Sequence, residues 1–85
     1  MNWEATTKYN FERILEKIPV FLRPMAKNKV FKKAEGLAQK ENRLEVVEKD
    51  LVDAFFLETP FGFHGPLKND MDEFGIDYVK YGYPK

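Results

Sequence analysis

The stretch "FERILEKIPVFLRPM" (residues 11–25) sets two prolines, Pro19 and Pro24, inside a run whose other residues favour helix. Proline lacks an N–H and disfavours the α conformation of the residue before it, so a helix stops at or before that residue. The first helix is therefore predicted from Thr6 or Thr7, either of which can cap it, to about Lys17. Phe11, Ile14, Leu15 and Ile18 take the i, i+3, i+4, i+7 spacing of one buried stripe. Pro24 falls where a second helix begins, at a position whose N–H has no intrahelical partner in any case. The two prolines thus bracket a helix–helix elbow with Val20, Phe21 and Leu22 as its apolar corner.

Past the elbow, the pattern predicts a helix over about Leu22 to Glu41, with Met25, Ala26, Val30, Ala34, Leu37 and Ala38 facing inward. Gly36 inside that pattern costs up to about 1 kcal/mol relative to alanine, which predicts close packing at that point. Asn42 suits the left-handed position after a helix, and residues 43–47 form a short extended connector. A third helix over about Glu48 to Phe56 buries Leu51, Val52, Ala54 and Phe55, with Glu48 and Asp50 at the positive end of its dipole.

Residues 60–85 hold four of the five glycines and three of the five prolines, so regular structure is not expected to persist there. Yet Phe61, Phe63, Leu67, Met71, Phe74, Ile76, Tyr78, Val79, Tyr81 and Tyr83 are too much apolar surface for a solvated tail. The tail must cover the helices or a partner, and "GIDYVKYGY" (75–83) alternates weakly enough to add as an edge strand to another sheet. The expected fold class is mainly α: a three-helix domain over residues 1–59 with a short extended connector, then an irregular aromatic docking tail over 60–85. The helical stripes are complete by Phe56, so the three helices are expected to stand without the tail. No internal repeat is legible.

Composition removes several kinds of chemistry. A chain of 85 residues buries roughly 60–65 per cent of its unfolded surface, so it is marginal without help. The absence of cysteine excludes a disulfide, a thiolate metal site and a thiolate-held iron–sulfur cluster. With His64 as the one histidine, sites that need two imidazoles are excluded too. "NDMDE" (69–73) begins like a calcium loop, but Phe74 takes the next alternate position and no glycine takes the sixth. No catalytic constellation is visible, so no enzyme, catalytic residue or metal ligand is expected.

Charge is zero overall but blocked along the chain: residues 8–33 carry a local balance of +6 and residues 34–60 one of −4. Such blocks are ordinary solvated helix faces in the bland reading, and matched surfaces for a charged partner in the sharper one. Arg23, Lys27, Lys29, Lys32 and Lys33 could track phosphates, but neutrality and the lack of a helix-turn-helix spacing make nucleic acid an unfavoured partner. No apolar run reaches membrane-spanning length and "MNWEATTKYN" does not read as a signal peptide. The expected setting is the cytoplasm, peripheral at most on a membrane-bound complex.

"LEKIPVFLR" (15–23) followed by "EGLAQKEN" (35–42) resembles the small C-terminal domain of the B subunit of light-independent protochlorophyllide reductase, a domain that also occurs free-standing. Leu15, Ile18, Pro19, Phe21, Arg23, Glu35, Ala38, Asn42, Val46 and Leu51 carry the resemblance, over about residues 11–57. It departs in several places. Trp3 lies farther from the elbow, the segment between Arg23 and Glu35 is longer by about one helical turn, and Val47 replaces a capping serine or threonine. The aromatic tail has no counterpart, and the reductase's cluster-binding and catalytic regions are missing. The resemblance implies a non-catalytic accessory role in photosynthesis or chlorophyll biosynthesis, as a protein–protein interaction module of a larger complex or pigment–protein assembly. Pro19, Phe21 and Arg23 would then carry the elbow surface, and Phe61, Phe63, His64, Phe74, Tyr78, Tyr81 and Tyr83 the docking tail. The alternative is a tetrapyrrole-binding or delivery protein in which Phe61, Phe63, His64 and the tail tyrosines line a pigment site. A lone loop histidine is more often incidental than a ligand.

Overall fold

The computed structural model describes residues 1–85. Its elements are β1 (Asn2–Trp3), α1 (Ala5–Glu16), a 3-10 turn (Val20–Leu22), α2 (Arg23–Lys40), β2 (Glu45–Val46), α3 (Glu48–Glu58), a second 3-10 turn (Phe61–Phe63), α4 (His64–Glu73) and a third 3-10 turn (Val79–Tyr81). The chain is mainly helical, as the sequence pattern implies, with a fourth helix beyond the three read from periodicity.

Phe11, Ile14 and Leu15 are buried on α1, Val30, Ala34 and Ala38 on α2, and Leu51, Val52, Ala54 and Phe55 on α3. Small side chains on α2 let it lie closely against α3, and these two helices form the largest contact in the molecule. Trp3 joins them from the N-terminus. Its ring stacks on Phe11 and Phe31, each with centroids 5.1 Å away, and its Nε1 donates to Glu35 Oε2 at 2.9 Å. That placement is held by the parallel pairing of β1 with β2, Asn2 opposite Glu45 and Trp3 opposite Val46. Asn42, at φ 58°, takes the left-handed position expected of it, and Arg43 N–H closes back on Ala38 O.

Four expectations change. Neither Thr6 nor Thr7 caps α1, which begins at Ala5 after Glu4; Thr7 is buried within it, its hydroxyl donating to Glu4 Oε1 at 2.6 Å. Met25 faces solvent, while its neighbour Ala26 packs against the core. Gly36 is exposed, and a Cβ built on it would meet nothing within 4 Å, so close packing does not explain it.

The fourth change concerns residues 60–85. They are regular over His64–Glu73 and form no edge strand. Leu67 and Met71 stand one turn apart on α4 and, with Ile76 and Tyr78, belong to the same core as α1–α3. Phe74, Tyr81 and Tyr83 pack on its rim. Gly65 and Pro66 read as breakers in sequence, yet both sit in the first turn of α4, where backbone N–H groups lack intrahelical partners and a proline is tolerated. Gly75, at φ 70°, then ends the helix with Ile76 N–H bonded to Met71 O. Polar ties fix the segment to α1: Arg13 donates to Phe74 O at 3.1 Å with its guanidinium 4.2 Å from the Phe74 ring centroid, and Lys17 pairs with Glu73 at 3.0 Å.

Candidate functional site

Both helix–helix elbows turn through the same device. Pro19 and Pro60 each follow a helix, each has an extended backbone (ψ 139° and 144°), and each leads into one 3-10 turn. Four residues after each proline a basic side chain reaches back to the carbonyls just before it. Arg23 Nε donates to Leu15 O and Ile18 O, both at 3.0 Å, and its guanidinium also donates to Glu16 O at 2.9 Å. His64 Nε2 lies 3.1 Å from Phe56 O and 2.9 Å from Thr59 O. Two carbonyl acceptors require that Nε2 carry the proton. Counted from the proline, Leu15 and Phe56 both lie four residues before it and Ile18 and Thr59 one residue before it, whereas Glu16 has no counterpart in the second elbow. Helix ends leave carbonyls short of partners; Leu15 O takes Ile18 N–H as well, and the basic side chain adds a second donor there.

The order strand, helix, proline elbow and helix therefore occurs twice along the chain. The 43-residue offset between Asn2 and Glu45 in the strand pair recurs between Ala5 and Glu48, where α1 and α3 start. It was hidden in the sequence because backbone geometry and capping chemistry repeat, whereas the side chains between them do not.

The elbows project apolar side chains into solvent. Val20 is 71% exposed, Phe21 82%, Phe61 87% and Phe63 64%. The remaining residues expected to dock are occupied within the chain. Tyr78 is buried, and Phe74 packs against Arg13. Tyr81 Oη donates to Glu48 Oε2 at 2.6 Å, and Tyr83 Oη to Asp53 Oδ1 at 2.5 Å, with the Tyr83 ring stacked on Phe56. Burial first, and then these carboxylates, hold the Tyr81 and Tyr83 phenols above their usual ionisation range. Burial, with Asp72 adding to it, does the same to Tyr78.

Two arrangements were not anticipated from sequence. Arg43 grips the buried Asp50 through two hydrogen bonds of 2.6 Å, and Asp50 also accepts Val47 N–H at 2.9 Å. Asp50, followed by Glu41, raises the Arg43 pKa further. The signal was present as an acid at the third position of a helix whose N-cap, Val47, offers no acceptor of its own. The second is a shallow depression of about 700 Å³ on the outer face of α2, lined by Lys29, Lys32, Lys33, Gly36, Leu37, Gln39, Lys40 and Glu58.

No cluster of three or more His, Asp or Glu side chains capable of holding a metal ion is present. No helix is long and apolar enough to cross a membrane. Comparison with protein-family models, curated proteins and solved structures finds no match for the chain.

Proposed function

We propose that the protein is a non-catalytic interaction module that docks on a larger protein assembly through its two proline elbows. The observation that carries this is the exposure of Val20, Phe21, Phe61 and Phe63 on turns whose backbones are fixed by Arg23 and His64. Aromatic side chains held out on a rigid turn lose little conformational freedom on binding, which is the chemistry of an interface anchor. The resemblance of residues 11–57 to the protochlorophyllide reductase domain supports an assembly of chlorophyll metabolism or photosynthesis as the setting.

The pigment reading has less support. His64 Nε2 faces two carbonyls, so a metal could be reached only through Nδ1 or by giving up both contacts. The tail tyrosines are likewise engaged within the chain. The nucleic-acid reading loses Arg23, whose guanidinium is committed to carbonyls.

Co-purification of the native protein, compared with a Phe21→Ser/Phe61→Ser variant, tests the proposal. The wild type should elute in a stable assembly and the variant as a folded monomer. Identical elution of both would overturn it.

A further inference from the structure

The helical face around Gly36 combines two features that the fold does not use. Gly36 sits in mid-helix at a cost to α2, with open space where its side chain would be. Lys32 and Lys33 stand four and three residues before it, Gln39 and Lys40 three and four residues after it, and Lys29 one turn earlier on the same side. Lys33 pairs weakly with Glu58 at 3.9 Å, and no ion pair forms at Lys29, Lys32 or Lys40. Leu37, half-buried against the core, is the one apolar residue at the edge of the depression.

We propose that this face is a docking groove for an acidic amphipathic helix of a partner protein, laid over Gly36 with its carboxylates on the flanking lysines. The inference rests on the interaction-module reading and assigns the chemistry of one partner segment. From Lys29 to Lys40 the face runs about 16 Å, or three turns, the length over which two helices stay in contact. Interaxial distance is set by the side chains at the crossing point, so a glycine there admits the closest approach. The exposed part of Leu37, beside the glycine, gives such a helix one apolar contact. Phosphodiester chains would find no aromatic platform and no arginine fork here, and a lipid surface would find one leucine.

The test is an amide NMR titration of the full chain with a synthetic three-turn helical peptide carrying glutamates on one face and leucines on the other. The peptide should shift the Lys29–Lys40 amides, and the shifts should weaken as salt rises. Gly36→Ala should raise the melting temperature, since it improves helix propensity without a clash. Gly36→Leu should keep the fold and weaken binding by about tenfold or more, and Lys32→Gln/Lys40→Gln should weaken it by several-fold. Unchanged affinity in folded Gly36→Leu would overturn the groove. So would shifts confined to other elements, or a poly-uridine strand or phosphatidylserine vesicles acting on this face where the peptide does not. Phe21→Ser/Phe61→Ser should leave the titration unaltered, so loss of native assembly in that variant reports on the elbows alone. Loss of peptide binding in it would overturn the groove in favour of the elbows.

Discussion

A chain ending at Thr59 tests whether residues 60–85 are part of the fold. Leu67, Met71, Ile76 and Tyr78 are 6%, 0%, 2% and 2% exposed in the full chain. Fully burying one such side chain is worth about 1.5–3 kcal/mol, so the four contribute about 6–12 kcal/mol, an upper value because unfolded chains already hide some apolar surface. Net stability for a domain of this size is about 4–13 kcal/mol. Losing the four anchors therefore removes an amount comparable to the whole, and it also uncovers Phe56 and the inner face of α1. The 1–59 fragment should show much reduced helical circular dichroism and no cooperative urea transition. Met71→Ala in the full chain calibrates the estimate: it should cost about 2–5 kcal/mol, lowering Tm by about 4–8 °C per kcal/mol. A 1–59 fragment with full helical signal and a sharp urea midpoint, or a Met71→Ala cost below about 1 kcal/mol, would refute the reasoning.

Three further outcomes follow from the geometry. Asp50→Ala should destabilise by about 2–4 kcal/mol in urea unfolding, since it strands the Arg43 guanidinium and the Val47 N–H, with the exposed side of Arg43 limiting the loss. Arg23→Lys should lose about 1 kcal/mol despite keeping the charge, because one ammonium cannot serve three separated carbonyls, and thermal melts of Arg23→Lys and Arg23→Met should fall close together. Stability should fall as pH rises above about 10, where unfolded tyrosines ionise while Tyr81 and Tyr83, raised in the fold, still hold their protons. Lys49, raised mainly by its hydrogen bond to Asp53, adds to that fall. Tyr81→Phe/Tyr83→Phe should flatten the alkaline decline in Tm.

The parts legible in sequence were those set by local rules. Pro19 and Pro24 located the first elbow, the stripe Phe11–Ile14–Leu15 located the inner face of α1, and Asn42 located the end of α2. What escaped notice depended on partners distant in sequence. Two-residue strands leave no alternation to read, so the pairing that carries Trp3 to Glu35 gave no signal. Gly65 and Pro66 obscured α4, although Leu67 and Met71 kept helical spacing. Of the candidate docking residues, Phe21, Phe61 and Phe63 are free at the surface, whereas Tyr78 is core and Tyr81 and Tyr83 are tied to α3. Composition alone cannot tell an aromatic that faces outward from one that folds back. Gly36 was legible as an anomaly, but its surface position could only be seen once the packing was known.

The elbows also separate what can vary from what cannot. Their shape is set by a proline, a basic side chain four residues on, and main-chain carbonyls that every amino acid supplies. Val20, Phe21 and Phe63 contribute little to that framework, and Phe61, whose ring lies 5.4 Å from that of His64, is still 87% exposed. Substitution at these four positions is thus nearly invisible to folding and fully visible to a binding partner. A lineage carrying this scaffold could exchange one partner for another by drift at its corners, without passing through an unstable intermediate.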